Sequence, residues 1–149
     1  MHCVQAIFLC EKSSHRAEYY MSEVTDPLAW VARAEEDYAI ATASLRRKQV
    51  WTYGACFHAQ QCAEKYLKAI LVSHGNSFPK VHDLLALSTL CEEAGVLTGF
   101  DPGQLDLLSA YAVRIRYPGD DPSPDEAQQA VKIAKSVRRL ARRWLGFRK

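Results

Sequence analysis

The run from Trp51 to Ser73, WTYGACFHAQQCAEKYLKAILVS, constrains the fold more than any other stretch. Apolar residues recur in it at helical spacing, which predicts one long helix. Small side chains dominate the first part of its apolar arc and let another helix approach closely, so this helix is expected to give one face to a core. That arc comprises Cys56, Ala59, Cys62, Ala63, Tyr66, Leu67, Ala69 and Ile70.

The opposite face of the same run is polar and partly cationic. Its members stand at the i, i+3 and i+4 spacings that make side chains neighbours on a helix: His58, Gln61, Glu64, Lys65 and Lys68. We expect this face to be exposed and available to a ligand or a partner.

The composition is that of one globular domain, with 149 residues, 48% hydrophobic and 24% charged. The net charge of +2 is too small to indicate nucleic-acid binding by itself. Five cysteines form no CxxC pair, which predicts free thiols in a reducing cytoplasm. No segment is long and apolar enough to predict a membrane span.

Residues 1–24 show no sustained hydrophobic periodicity. We therefore predict a weakly packed or flexible extension there, followed by one domain at 25–149.

Four further helices are predicted around the central one. The first runs from Pro27 to about Lys48, with Asp26 as its N-cap. A shorter helix spans His82 to Gly95, and another runs from about Gln104 to Arg116. The last begins after a cap at Ser123 and continues to the C-terminus. Because no period-2 alternation is long enough for a strand, the predicted fold class is all-α: an up-down helical bundle of four main helices plus a shorter helix.

Several kinds of site are absent from the sequence. It contains no GxxxxGK[ST] or GxGxxG phosphate loop, no HExxH and no Cys/His cluster with metal-ligand spacing. No elbow motif arranges serine or cysteine with histidine for nucleophilic catalysis. Neither a metal nor a cofactor is therefore predicted.

The remaining candidates for a site are polar residues on separate helices. Guanidinium groups bind phosphate oxygens bidentately, so the two arginines that close the fourth predicted helix are candidate phosphate contacts. Each residue alone also has an ordinary structural role, such as complementing a helix C-terminus. The candidate set for one ligand- or phosphate-binding cleft is Arg114, Arg116, His58, Lys65, Tyr117, His82 and Asp37.

The last predicted helix carries a separate basic stripe. Its members are Lys132, Lys135, Arg138, Arg139, Arg142, Arg143, Arg148 and Lys149. Such a stripe suits RNA or an acidic protein partner, or it is a solvated face with cations toward the helix C-terminus. The solvated face is favoured, because the stripe lacks aromatic residues for stacking bases.

Four motifs give the chain a resemblance to the HEPN family (higher eukaryotes and prokaryotes nucleotide-binding). They are RAEEDYAIA at 33–41, ACFHAQQCAEKYLKAILVSHG at 55–75, HDLLAL at 82–87 and RYPG at 116–119. They occur in the expected order and the resemblance spans roughly residues 27–146. It implies a compact helical bundle that usually forms a homodimer and often acts beside a minimal nucleotidyltransferase in toxin–antitoxin systems.

Many members of the family are metal-independent ribonucleases, and the resemblance implies where their motif would lie. That motif is an arginine, four to six intervening residues and then a histidine. Counting from Arg114, the histidine position falls on Gly119, Asp120 or Asp121; counting from Arg116, it falls on Asp121, Pro122 or Ser123. The arginine end is present and the histidine end is not.

The sequence therefore predicts a non-catalytic HEPN protein that binds nucleotide or RNA phosphate or docks a nucleotidyltransferase. Arginine can stabilise a phosphate but cannot shuttle the proton that cleavage requires. The alternative is a ribonuclease with a displaced general base, supplied by His58 or His82. A third hypothesis is a scaffold that only pairs helices.

Overall fold

The computed structural model describes residues 25–114 and 117–147, and these ranges contain five helices and no strand. The helices are α1 (Pro27–Leu45), α2 (Thr52–Ser73), α3 (Leu84–Glu93), α4 (Pro102–Ala110) and α5 (Pro124–Trp144). The all-α prediction is confirmed. The predicted extension at 1–24 lies outside the described residues.

Four of the five helices in the described residues begin where a side chain accepts a hydrogen bond from a free backbone N–H group, whereas α2, with Trp51 as its N-cap, has no such bond. Asp26 and Asp101 each accept a hydrogen bond from the backbone two residues ahead, and Ser123 forms a reciprocal capping box with Glu126. Asp83 caps α3 in the same way, so His82 precedes this helix instead of opening it. The predicted caps at positions 26 and 123 are confirmed.

Two helices end earlier than predicted. α1 stops at Leu45 instead of about Lys48, and the Ser44 carbonyl accepts a hydrogen bond from Trp51 N–H at 3.2 Å. α4 stops at Ala110 instead of Arg116, and its end tightens into bonds that span three residues. As a result, Arg46, Arg47 and Lys48 lie after the end of α1, and Arg114 lies after the end of α4.

The core lies where α1, α2 and α5 meet. α1 and α2 are antiparallel neighbours, since Ser44 bonds to Trp51 at one end and Glu35 to Tyr66 further along. Both helices contribute fully buried alanines to the core: Ala34, Ala41, Ala55, Ala59 and Ala63. α5 lies across both of them, with Glu126 near the first turns of α2 and Arg142 near its middle. The start of α5 therefore lies at the same end of the bundle as the start of α2.

The turn after α2 contains Gly75, whose φ of +70° is in the left-handed region that glycine favours. None of the helices in the described part of the chain has the length and apolar character that crossing a membrane requires. The described cysteines, Cys56, Cys62 and Cys91, are buried free thiols.

Candidate functional site

Three of the predicted site residues meet between α1 and α2. Asp37 is buried on α1, and its Oδ1 lies 2.7 Å from His58 Nδ1. Its second oxygen accepts a hydrogen bond from Lys65 Nζ. His58 and Lys65 lie seven residues apart on α2, two turns along the same face, so one carboxylate reaches both. We call these three residues the Asp37 cluster.

The Asp37 cluster presents an oriented imidazole to the solvent. When Nδ1 of His58 carries the proton, the ring donates to Asp37 and Nε2 is left as an acceptor. The Phe57 ring stands edge-on to the imidazole at 5.3 Å between centroids and limits its rotation. The His58 side chain is 27% exposed, so a ligand can reach it. Asp37 also neutralises Lys65, which leaves little bare positive charge at this position.

A second polar cluster lies beside the first and was missed as a unit by sequence reasoning. Glu64 is buried; it accepts hydrogen bonds from Lys68 Nζ at 2.7 Å and Gln60 Nε2 at 3.0 Å. His82 Nδ1 lies 3.0 Å from the same carboxylate. We call Gln60, Glu64, Lys68 and His82 the Glu64 cluster. His82 thus belongs to this cluster, while His58 belongs to the first.

The prediction that the polar face of α2 is exposed is wrong for Glu64 and Lys68. Both side chains are buried, because α1 and the segment after α2 cover them. The Lys68 ammonium lies 5.5 Å from the centroid of Trp30 and 5.4 Å from that of Phe78, so it is held over two aromatic rings. The i, i+4 spacing of the acid and the lysine was visible in the sequence, but it gave no sign of burial.

The ion pairs of the Glu64 cluster lower the pKa of its carboxyl group. Burial by itself raises the pKa of Glu64, but hydrogen bonds from Lys68 and Gln60 outweigh burial and leave the value below normal. Glu64 is therefore ionised near neutral pH and holds Lys68 in place.

In the tertiary structure, some members of the basic stripe on α5 are paired with a carboxylate on α1 and others are exposed. Arg138 donates to both oxygens of Glu35 on α1, at 2.7 and 3.0 Å, and Arg142 lies 3.6 Å from the same carboxylate. Tyr66 also donates its hydroxyl hydrogen to Glu35. The predicted solvated face holds for the exposed members Lys132, Lys135, Arg139 and Arg143, while Arg148 and Lys149 lie outside the described residues.

Arg114 lies in the turn after α4 and is held by a neighbouring carboxylate. Its Nε donates to Asp120 Oδ2 at 2.7 Å and its Nη2 donates to Asp120 Oδ1 at 2.9 Å. This two-bond contact raises the pKa of Arg114 and lowers that of Asp120. Tyr117 in the same loop is exposed, and Arg116 lies outside the described residues.

The described contacts leave Arg114 separate from the Asp37 cluster. Arg114 is near the first turns of α2, because its charge acts on the Cys56 thiol. Burial and the Glu126 carboxylate raise the pKa of Cys56 to about 12, and the positive charge of Arg114 partly opposes that rise. Cys56 and His58 are two residues apart on α2 and so point to opposite sides of the helix. Asp37, His58 and Lys65 thus form one group, while His82 belongs to the Glu64 cluster and Arg114 pairs with Asp120.

In the described residues, no group of three or more His, Cys, Asp or Glu side chains is placed to hold a metal ion. The polar atoms of the Asp37 and Glu64 clusters bind one another. Of their histidines, His58 is partly exposed and His82 is exposed, as are Arg114 and its partner Asp120. These groups can bind an anion, accept a proton or donate one.

The structure defines the class of protein: an all-α bundle whose long helices enclose charged clusters. Comparison with known proteins assigns the family. The model of the HEPN domain matches residues 28–144, so the chain belongs to the HEPN family. The presence of this domain implies a function related to nucleotides or RNA.

The fold has a match among solved structures. The crystal structure of TT1696 from Thermus thermophilus superposes with a TM-score of 0.62 at 24% sequence identity, covering 79% of this chain and 97% of that one. This likeness shows the fold alone. No curated protein matches the chain.

Proposed function

We propose that this protein binds a nucleotide or an RNA phosphate without cleaving it, with Arg114 as the principal phosphate contact. The observation that carries the proposal is the pairing of Arg114 with Asp120 through two parallel hydrogen bonds. A phosphate presents two oxygens in the same geometry as a carboxylate, so it can take the place of Asp120. Both side chains are exposed, and exposed pairs of this kind are weak enough to exchange.

The absence of a histidine beside Arg114 supports binding over cleavage. The residue six positions after Arg114 is Asp120, which the arginine holds ionised. An ionised carboxylate next to a bound phosphate repels it and supplies no proton to a leaving oxygen. Tyr117 in the same loop, and Arg116, its neighbour in the sequence, are the further candidate contacts.

We expect opposite effects from substitutions at the two ends of this pair. Arg114→Ala removes the charge-assisted donors and should weaken binding of 5′-AMP about tenfold. Asp120→Asn removes the competing carboxylate and should tighten binding about two- to fivefold. Isothermal titration calorimetry at low salt measures both, and Arg139→Ala, an exposed arginine on α5, is the matched control. Unchanged affinity in Arg114→Ala with an unchanged circular dichroism spectrum would refute the assignment.

A second function is favoured by the Asp37 cluster: a metal-independent ribonuclease in which His58 is a displaced general base. A buried carboxylate that orients an exposed imidazole is the arrangement that proton abstraction from a ribose hydroxyl requires. Incubation of the pure protein with a mixed RNA pool in EDTA separates the two functions. We expect no cleavage. Cleavage that is lost in both His58→Ala and Asp37→Asn, and retained in His74→Ala, would establish the ribonuclease instead.

The proposal extends to partners. The family frequently forms homodimers and acts beside a minimal nucleotidyltransferase, often in toxin–antitoxin systems, so we propose both partners for this chain. The free thiols at Cys56, Cys62 and Cys91 suit a reducing cytoplasm. Sedimentation velocity of the pure protein measures the oligomeric state, and nucleotide binding at any level would exclude a purely structural scaffold.

A further inference from the structure

The turn between α1 and α2 combines exposed cations with exposed aromatic rings. We call residues 46–53, RRKQVWTY, the α1–α2 corner. Arg46, Arg47 and Lys48 are exposed, and they follow the end of α1 at Leu45. Trp51 is 56% exposed and Tyr53 is 49% exposed, which is high for large aromatic side chains.

The charge at this corner is unbalanced. No acidic residue occurs in the sequence between Asp37 and Glu64, and both of those carboxylates are buried and paired with lysines on α2. Among the residues that the structure describes, no ion pair engages Arg46, Arg47 or Lys48. Three exposed positive charges therefore stand together, unpaired by any carboxylate in the described part of the chain. Glu126, at the same end of the bundle, accepts a hydrogen bond from Ser123 instead.

The rings of the corner are held in defined positions. The Arg47 guanidinium lies 3.6 Å from the centroid of the Trp51 ring, a cation–π contact that fixes both side chains. Tyr53 stacks on Phe57 with 6.2 Å between centroids and 4° between ring planes. Rings that are already ordered lose little conformational freedom when a base stacks on them.

We propose that the α1–α2 corner binds a single strand of nucleic acid, with bases stacked on Trp51 and Tyr53 and phosphates contacted by Arg46, Arg47 and Lys48. Aromatic platforms beside cations are how proteins bind single strands without reading sequence. A second copy of the chain is a poor occupant, because two facing corners would bring six positive charges together. The inference goes beyond the proposed function, since it concerns a different surface from that of Arg114 and requires a strand instead of a mononucleotide.

The test measures fluorescence anisotropy of labelled 12-nucleotide oligo-U and oligo-dT at several salt concentrations. We expect Trp51→Ala and Tyr53→Ala each to weaken binding about five- to hundredfold, the range found for loss of one stacked base. Replacing Arg46, Arg47 and Lys48 by glutamine should reduce the slope of log K against log salt by about 2, since each phosphate contact on a single strand contributes about 0.7.

Controls separate this surface from the others. Trp144→Ala removes a comparably exposed tryptophan from α5 and should bind like the wild type. The corner variants should keep wild-type affinity for 5′-AMP, while Arg114→Ala should lose it, so failure of one proposal leaves the other testable. Wild-type strand affinity in Trp51→Ala and Tyr53→Ala would overturn the inference. So would an equal loss in Trp144→Ala, or a change of sedimentation coefficient that marks the corner as a contact between copies. A variant with only Arg46 and Lys48 replaced by glutamine keeps Arg47 on the Trp51 ring and should lower the slope by about 1.4, so it decides the question if an aromatic variant fails to fold.

Discussion

Glu64→Ala is expected to lower the free energy of unfolding by about 3–5 kcal/mol, one of the two largest single effects that we expect in this domain. Glu64 and Lys68 form a buried ion pair in which Lys68 is enclosed by two aromatic rings. Removing the carboxylate leaves the ammonium buried without a counter-charge. Urea unfolding at pH 7, followed by circular dichroism, measures the change.

The matched control for this prediction is Glu36→Ala on α1. Glu36 pairs with Arg33 at 3.7 Å on an exposed helix surface, where such pairs contribute at most about 0.5 kcal/mol. A double variant, Glu64→Leu with Lys68→Met, should recover most of the lost stability, because it removes both buried charges. Equal losses in Glu64→Ala and Glu36→Ala would show that the pair is not buried in solution.

The same cluster should affect acid stability. The pKa of Glu64 is lower in the folded protein than in the unfolded chain, so its contribution is fully present above the ordinary carboxyl pKa of about 4.3 and is lost as the pH falls through the lower folded value. The wild type should therefore lose stability steadily below about pH 4.3. Glu64→Ala should show a shallower dependence over the same range.

Leu67→Ala is expected to cost about 3 kcal/mol, within the range of 2–5 kcal/mol for a buried leucine. Leu67 is fully buried in α2, and core structure generally relaxes only partially around the cavity that such a substitution leaves. Leu107→Ala on α4 is the matched control, because Leu107 is 40% exposed, and it should cost less than about 1 kcal/mol. Thermal and urea unfolding of both variants provide the comparison, and similar losses at the two positions would contradict the core described here.

The family and the helical fold were accessible from sequence because their signals are local. Asp26 and Ser123 cap helices through hydrogen bonds to residues two or three positions away, and the apolar arc of α2 follows from helical periodicity alone. The Asp37 cluster was only partly predictable. Its three members were each candidates, but nothing in the sequence indicated that one carboxylate holds both His58 and Lys65.

By itself, the sequence determined the order of the helices in the described residues, the caps that start α1 and α5 and the apolar arc of α2, since all of these depend on neighbours within a few residues. Only the tertiary structure decided which charges are buried. Glu64 and Lys68 have the spacing of ordinary surface residues, but α1 and the segment after α2 cover them. Arg138 belongs to a stripe predicted to be solvated, but it binds Glu35, which lies 103 residues earlier in the chain. Burial and ion pairing depend on distances between remote parts of the chain, and helical periodicity contains no information about those distances.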